Sequence, residues 1–354
     1  MAVSIRFLQA HHGDCILITV QLGDVTQRIL VDGGPARTFK PRSNTETRDG
    51  DLKKVLTSLR GEGHGIDLVI LTHIDDDHIG GLITAFEAPD LLQTMAKRVI
   101  FNSGRSIHKY FHAPVDPAKD LTGNFSRCQN TSVTQGQTLE DFLVDKEIWQ
   151  QEIVMRSSKH LLSNCSLIFL TPDESELRKL LGKWTKEAGQ QETAGAATDW
   201  HCTYEQLRAG DAFKSDSSIP NGSSLSFILN VEGAAYLFLG DAHPGSVIKG
   251  LESLGYTKSN PLRARLVKVS HHGSKGNTST ELLESVLSDH FVISANGLSH
   301  GLPDKATLAR IHTVHPAATI HFNYVNLPKK IYSEAELHSM GEKVNALQGD
   351  MSFE

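Results

Sequence analysis

Short apolar runs that end in glycine, aspartate or histidine recur along most of the chain. Residues 3–7 alternate between apolar and polar positions, as in a strand with one buried face. Residues 51–60 instead carry apolar positions at helical spacing and close on Gly61. The pattern predicts further strands at 15–20, 28–31, 67–71, 166–170, 225–231, 235–239, 266–269 and 291–294, and further helices at 79–86 and 173–184.

Two long segments lack this pattern. Residues 102–160 and 185–220 are polar, and we interpret them as loops and short elements inserted into a single domain that spans 1–354. Residues 335–354 form a polar C-terminal extension, for which we predict a terminal helix. The order of elements is strands, a helix, more strands with a hairpin, and then strand–helix pairs. This order predicts an α/β (α+β) fold in which two sheets pack face to face with helices outside.

The composition is that of an ordinary globular protein, with 39% hydrophobic and 21% charged residues. A formal net charge of −6 argues against a surface that tracks nucleic acid throughout, but it leaves room for a local basic groove. We find neither a long apolar run nor a signal peptide, so no membrane association is predicted. The four cysteines are widely spaced without a CxxC pair, which favours a reducing cytoplasm.

Residues 72–81 read Thr-His-Ile-Asp-Asp-Asp-His-Ile-Gly-Gly and directly follow an apolar run. They place four candidate metal ligands within six residues: His73, Asp75, Asp77 and His78. A polar loop after a strand is the simpler interpretation, but burying this density of imidazole and carboxylate without a cation would be costly. The segment therefore predicts a metal site.

Other predicted strands also end in candidate ligands. Asp32 follows one apolar run, Asp241 follows a second, and His271 with His272 follow a third. Strands that end at one edge of a sheet bring their terminal residues together. We therefore expect these residues to join the 72–81 segment in one site.

These motifs resemble those of the metallo-β-lactamase superfamily, in the order of that family. They are Asp-Gly-Gly at 32–34, Thr-His-x-Asp-x-Asp-His at 72–78, Gly-Asp at 240–241 and Ser-His-His-Gly-Ser at 270–274. The hydrolase domain of the competence protein ComEC is the most similar branch, because it shares a Gly-Asp turn near its start, here residues 12–14, and a late segment similar to 299–303. The resemblance implies a four-layer αββα sandwich with one or two metals.

The resemblance also implies a role for each residue. His73 and Asp75 would bind a first metal, Asp77 and His78 a second, and Asp241 would bridge them. One of His271 and His272 would complete the second site, and the sequence does not choose between them. Asp32, His12 and Asp14 would support the ligands from behind. Asp77 would orient the attacking water, and His300 would be a general acid. Asn221 is also placed among the catalytic residues. For His12, Asp14 and His300, a purely structural role stays open.

Two positions depart from the usual family pattern. Asp75 stands where the family has histidine, and Asn221 stands where a third histidine of the first site is expected. Because carboxylates are harder ligands than imidazole, this favours Mn²⁺ or Mg²⁺ relative to Zn²⁺. We therefore predict two divalent ions, zinc or manganese, with magnesium also compatible. His160 or His201 could replace the missing histidine, although a surface or lid position suits each of them too.

The substrate is predicted less directly. Residues 253–280 contain five basic residues and no acid, which favours an anionic substrate beside the metals, although a solvated basic face gives the same pattern. The favoured function is a metal-dependent phosphodiesterase or nuclease. The alternatives are a metallohydrolase of esters, lactones or amides, and an effector subunit that a protein partner or oligomer regulates in a defence or signalling assembly.

Overall fold

The computed structural model describes residues 1–40, 49–112, 132–186 and 198–354. In these ranges the strands form two sheets. The first sheet has six strands: β1 (Ala2–Phe7), β2 (Ile16–Leu22), β3 (Val25–Val31), β4 (Leu68–Ile70), β5 (Val99–Ile100) and β15 (Met351–Phe353). The second has nine: β6 (Lys159–Leu161), β7 (Ser166–Thr171), β8 (Ser226–Val231), β9 (Ala234–Phe238), β10 (Leu262–Lys268), β11 (Val286–Leu287), β12 (His290–Ile293), β13 (Thr319–Phe322) and β14 (Val344–Ala346).

The first sheet is ordered β15-β1-β2-β3-β4-β5. The β1, β2 and β3 strands form an antiparallel meander, and β4 and β5 add parallel to β3. Because β3 and β4 are parallel neighbours, their carboxyl ends lie at the same edge of the sheet. This edge carries Asp32 and the segment that begins at Thr72.

The second sheet is ordered β14-β13-β12-β10-β9-β8-β7-β6, with β11 beside β10. The predicted hairpin forms β8 and β9, and its turn places Glu232 and Gly233 at φ of 47° and 86°. Strands β9, β10, β12 and β13 are parallel, so their carboxyl ends also meet at one edge. Gly240–Asp241 and the His271–His272 turn follow two of these strands.

Thirteen α-helical segments lie in the described ranges: α1 (Asp51–Gly61), α2 (Asp76–Glu87), α3 (Leu92–Met95), α4 (Gly104–Tyr110), α5 (Ser132–Lys146), α6 (Glu174–Lys186), α7 (Tyr204–Ala209), α8 (Ile219–Gly222), α9 (Pro244–Ser253), α10 (Thr280–Glu284), α11 (Lys305–Val314), α12 (Pro328–Ile331) and α13 (Glu334–Met340). One apolar core fills the space between the sheets, and a further core lies on the outer face of each sheet under its helices. The predicted four-layer αββα sandwich is confirmed. None of the helices in these ranges is long and apolar enough to cross a membrane.

The two polar segments contain more helix than the sequence predicted. Helix α5 has 15 residues, and it packs beside α2, where the Phe142 ring lies 5.6 Å from the Phe86 ring. The prediction missed it because its apolar positions are widely interrupted by Thr, Gln and Gly. Residues 113–131 and 187–197 of these segments lie outside the described ranges.

The C-terminal extension is also more than a terminal helix. The short α13 is followed by β14, which pairs with β13, and by β15, which pairs with β1. The last residues therefore join both sheets at one side of the sandwich.

Candidate metal centre

The candidate ligands lie where strand ends of the two sheets meet. From the sequence, these residues were predicted to lie at strand ends of a single sheet. The structure instead brings Asp32 and residues 73–78 from the first sheet, and Asp241 with His271 and His272 from the second. The site therefore lies at the open edge between two packed sheets, and its geometry depends on how they pack.

Asp241 is the common centre of the cluster. Its Oδ2 lies 3.4 Å from His78 Nε2, 3.7 Å from His272 Nε2, and 3.8 Å from the Nε2 atoms of both His73 and His271. Asp241 is 2% exposed and follows Gly240, which has a φ of 50°. Four imidazoles thus converge on one buried carboxylate, as a bridging ligand requires.

One half of the site, here called the second cluster, consists of Asp77, His78, His272 and Asp241. His272 Nε2 lies 3.3 Å from Asp77 Oδ2, and His78 Nε2 lies 4.0 Å from Asp77 Oδ1. Both histidines are almost fully buried. The second cluster therefore offers two carboxylates and two imidazoles, and the geometry places His272 rather than His271 in it.

The other half, the first cluster, consists of His73, Asp75, His271 and Asp241. His73 Nε2 lies 3.7 Å from Asp75 Oδ2, and Ser132 of α5 donates a hydrogen bond of 2.9 Å to the other oxygen of Asp75. His271 Nε2 lies 3.8 Å from Asp241 Oδ2, and its Nδ1 lies 3.4 Å from Asn221 Nδ2. His271 thus lies beside Asn221, the position at which the family has a third histidine.

The rings of the adjacent His271 and His272 point in different directions because of the backbone conformation between β10 and β12. The Ser270–Gly273 turn places His271 at φ 46° and His272 at φ 53°, which is left-handed backbone for non-glycine residues. Such residues are strained and are commonly found at functional sites. The turn is held by the His271 N–H, which donates to the Gly240 carbonyl at 2.9 Å.

The inward-facing atoms of the two clusters fit a divalent cation. The Nε2 atoms of His73, His78 and His272 and the Oδ1 of Asp241 are buried and have no hydrogen-bond partner. Buried polar atoms are normally paired, and leaving several unpaired together is costly. Imidazole nitrogens and carboxylate oxygens in this arrangement are ligands for first-row divalent ions. Ligand atoms lie within 4.8 Å of one another in two inward-facing groups, one of His73, His78 and Asp241 and one of Asp77, His78 and His272, so the residues present suit metal binding.

Asp32 contacts His78 at its Nδ1 atom. His78 Nδ1 donates to Asp32 Oδ2 at 2.8 Å, which leaves Nε2 for the metal. Thr72 donates to both oxygens of Asp32 through its backbone N–H and its hydroxyl, each at 2.7 Å. The Thr72 hydroxyl also accepts from His73 Nδ1 at 3.1 Å, so one carboxylate supports both imidazoles of the 72–78 motif.

His272 is supported by a buried ion pair. Its Nδ1 donates to the Ser294 carbonyl at 3.0 Å and lies 3.5 Å from Asp14 Oδ1. The other Asp14 oxygen accepts from Lys268 Nζ, and both Asp14 and Lys268 are 1% exposed. In the sequence, Lys268 is distinguished only as a member of a basic stretch. Its position among the apolar residues of β10 was the signal that it points into the protein.

The Gly13–Asp14 turn lies directly beneath the metal-ligand loop. The Asp14 N–H donates to the Asp77 carbonyl at 3.2 Å. A Cβ atom at Gly13 would lie 1.8 Å from that carbonyl oxygen, so only glycine allows this approach. The turn therefore positions Asp77 as well as His272.

Burial and charge shift the pKa values of these groups in different directions. Burial, together with nearby His78, lowers the pKa of His73 to about 4, which leaves it neutral and able to bind metal. Burial, together with the Asp77 carboxylate, raises the pKa of Asp75 to about 6. Although burial opposes it, the Asp241 and Asp32 carboxylates hold the pKa of His78 well above its usual range.

Not every predicted site residue points at the clusters. The side chain of Asn221 donates to Asp216 at 2.7 Å, and its nitrogen is 3.4 Å from His271 Nδ1, so it supports the first cluster from outside. His12 contacts Arg37 at 2.9 Å, and its ring centroid lies 6.1 Å from that of His300. These two histidines therefore form part of the rim of the site.

The two histidines considered as substitutes lie elsewhere. His160 is on β6, where its Nδ1 contacts the Arg98 guanidinium at 2.6 Å and its ring packs against Phe169. His201 is exposed in the segment before α7. His271, and neither of these, supplies the additional imidazole that faces the first cluster.

Residues 9–119 match the family model of the Metallo-beta-lactamase superfamily. This segment contains Asp14, Asp32 and all the ligand candidates of the 72–81 motif. Members of the superfamily are metal-dependent hydrolases, and the prediction of a metal-dependent hydrolase is confirmed at that level.

Among solved structures, the chain is similar to the diiron β-hydroxylase CmlA from Streptomyces venezuelae, with 12% identity and a TM-score of 0.40 over 99% of this chain and 54% of that chain. It is also similar to an isothiocyanate hydrolase from Delia radicum gut bacteria, with 11% identity and a TM-score of 0.40 over 100% and 98% of the two chains. The chain thus spans about half the length of the CmlA chain. Comparison with curated proteins gives no match.

Proposed function

We propose that the protein is a metal-dependent phosphodiesterase or nuclease of the ComEC-like branch, with two divalent ions in the first and second clusters. The observation that carries this proposal is the Asp75 carboxylate, which faces the first cluster and is held there by Ser132. With Asp241 it gives that cluster two carboxylates and two imidazoles. Such an oxygen-rich set suits harder ions than a three-histidine site does.

Two divalent ions would activate a water and neutralise charge on the attacking and leaving oxygens of a phosphodiester. The chain's own groups on the rim suit an anionic substrate. Arg37 donates to His12 Nδ1, so a neutral His12 carries its proton on Nε2. Burial lowers the pKa of His12 to about 4, which keeps it neutral at physiological pH. We assign His12 and Arg37 to binding a phosphate oxygen, and His300 beside them to protonating the leaving group.

Three of the five basic residues at 253–280 pair with carboxylates, whereas Arg263 and Arg265 are exposed on β10. Lys268 is buried against Asp14, Lys258 is bonded to Glu284 at 2.7 Å, and Lys275 pairs with Asp304 at 3.1 Å. These three cations are therefore already compensated. In the proposal, attraction of an anionic substrate comes from Arg37 and the bound metals, and nucleic acid is one candidate substrate. The unbridged cysteines Cys15, Cys165 and Cys202 agree with the proposed cytoplasmic location.

Hydrolysis of phosphodiesters is the direct test. We expect the Mn²⁺-loaded protein to cleave bis(p-nitrophenyl) phosphate and at least one of single-stranded DNA, RNA and a cyclic nucleotide. His78→Ala should reduce the rate by about 10³-fold, because it removes a ligand of the second ion, which stabilises transition-state charge by several kcal/mol. The matched control is His338→Ala, which changes an exposed histidine on α13.

The outcomes of this test are distinct. Cleavage that survives His78→Ala would point to a contaminating nuclease. Hydrolysis of lactones, thioesters or β-lactams with none of the phosphodiesters would contradict the proposal and favour the ester, lactone or amide alternative.

The identity of the working ion is a separate prediction. After removal of metal with a chelator, we expect Mn²⁺ to restore more activity than Zn²⁺ at equal free concentration, because of the Asp75 carboxylate. Asp75→His should reverse this order, since the first cluster would then hold three imidazoles. The measurement is the initial rate on one phosphodiester across a series of buffered free-metal concentrations. Full activity of the original protein with Zn²⁺ alone would contradict the prediction.

A further inference from the structure

A segment that sequence analysis treated as a polar loop reaches the metal centre. Residues 210–218 run from α7 to α8 and are here called the strap. Arg310 of α11 holds Asp211 by two hydrogen bonds of 2.5 and 2.7 Å, and the Phe213 ring lies 5.2 Å from the Arg310 guanidinium. The Asp216 N–H donates to the Gly276 carbonyl at 3.0 Å. The strap is therefore fixed against the loop that follows the two histidines.

One carboxylate oxygen of Asp216 accepts hydrogen bonds from two side-chain amides. Its Oδ2 accepts from Asn221 Nδ2 at 2.7 Å and from Asn277 Nδ2 at 3.0 Å. Its Oδ1 accepts from the Ser218 N–H at 2.8 Å, which keeps the carboxylate in place. Asp216 is thus a fixed acceptor just outside the ligands.

The contacts of Asn277 determine which way its amide points. Its Nδ2 donates both to Asp216 Oδ2 and to the Asp241 carbonyl at 3.0 Å, and the residue is fully buried. A flipped amide would face those two acceptors with its own oxygen. The Asn277 Oδ1 therefore has to face away from Asp216, and it lies 2.9 Å from His271 Nδ1.

An amide oxygen can only accept, so His271 Nδ1 has to carry the proton. The competing donor, Asn221 Nδ2, is farther from His271 Nδ1, at 3.4 Å, and already donates to Asp216. With its proton on Nδ1, His271 presents the lone pair of Nε2 toward Asp241. This is the tautomer that a metal in the first cluster needs.

We propose that Asp216 is a positioning residue for the first cluster, acting through Asn277 to set the tautomer of His271. At His78 the same task falls to a single carboxylate, because Asp32 accepts the hydrogen bond from His78 Nδ1 directly. At His271 the acceptor is the Asn277 amide oxygen, which Asp216 orients. This arrangement also gives the strap a role, since release of Asp216 would remove one of the two acceptors that orient the Asn277 amide. The inference rests on the metal centre of the proposed function and is independent of the bond that is cleaved.

The tautomer can be measured on the metal-free protein. Two-bond proton–nitrogen correlation spectra of the isotope-labelled chain, at mildly alkaline pH, distinguish Nδ1–H from Nε2–H imidazoles. His271→Gln identifies the signals of His271. We expect the Nδ1–H form in the unsubstituted protein, and an Nε2–H form there would overturn the proposal without any variant having to fold.

Two variants test the role of Asp216. Asp216→Ala should allow the Nε2–H form of His271 and weaken the first metal site by about 10- to 100-fold, while the second keeps its affinity. The double variant Asp216→Ala with Asn277→Asp should recover the Nδ1–H form, because both oxygens of a carboxylate accept and its orientation no longer matters. Asp350→Ala, which removes a surface carboxylate bonded to Arg6, is the matched control.

Metal titration and the tautomer spectrum are read together on these variants. The proposal would be overturned if Asp216→Ala left both the His271 tautomer and the affinities of the two metal sites unchanged. It would also be overturned if the double variant folded but kept His271 in the Nε2–H form. If neither the unsubstituted protein nor any variant bound metal, the proposed function would fail. The tautomer spectra would still decide the role of Asp216 in that case.

Discussion

Asp241→Asn should remove the bound metals and lower hydrolytic activity by about 10³-fold or more, since each ion contributes several kcal/mol of transition-state stabilisation. The structure gives the reason. One carboxylate oxygen of Asp241 lies within 3.8 Å of four imidazole Nε2 atoms, two from each cluster. An amide in its place has no negative charge and turns an N–H group toward a cation. Both sites should therefore weaken together.

Metal content after gel filtration at fixed free metal is the measurement, with activity on a phosphodiester as the second readout. Asp350→Asn provides the control, since it makes the same chemical change on an exposed side chain. If Asp241→Asn kept two ions per chain, Asp241 would not be the bridge between the clusters. Loss of one ion alone would assign it to a single cluster.

Lys268→Met should destabilise the metal-free protein by about 3–5 kcal/mol, the usual cost of breaking a buried ion pair. Lys268 Nζ bonds Asp14 and lies 3.3 Å from the Gly240 carbonyl, and both charged residues are almost fully buried. Without the cation, the Asp14 carboxylate would stay buried close to the Asp32 carboxylate and His78. Although burial opposes it, the Lys268 and His272 charges hold the pKa of Asp14 well below its usual value.

Urea unfolding in the presence of a chelator measures this effect without a contribution from bound metal. The double variant Lys268→Met with Asp14→Asn should lose much less stability than Lys268→Met alone, because no unpaired charge is then left. Lys249→Met, at an exposed position on α9, should be close to neutral. A Lys268→Met protein as stable as the control would show that Asp14 does not depend on this lysine.

Much of the site could be predicted because its motifs are local. The ligand density at 72–78, the apolar run before it and the glycines after it all lie within residues 68–81. Residues 32, 241 and 271–272 could be added because each stands within three residues of the end of an apolar run, and strand ends meet at sheet edges. The four-layer sandwich followed from the order of these elements together with the family resemblance.

The supporting residues could not be predicted in this way. Lys268, Ser132 and Asp216 contact the site from distant parts of the chain, and none stands in a motif that implies its partner. Helix α5 was missed as well, since tertiary packing compensates for its weak apolar pattern. Such contacts depend on how helices and strands pack against each other, and the pattern of residues along the chain does not record that packing.

The clearest division concerns His271 and His272. From the order of residues alone, a Ser-His-His-Gly-Ser segment after an apolar run predicts a metal ligand, but the two side chains are equivalent in that pattern. Folding makes them different, because two consecutive left-handed residues turn one ring toward Ser294 and the other toward Asn277. Short-range chemistry thus specifies which residues can bind a metal, whereas the directions of their rings follow from backbone dihedrals and from acceptors that other elements bring into place.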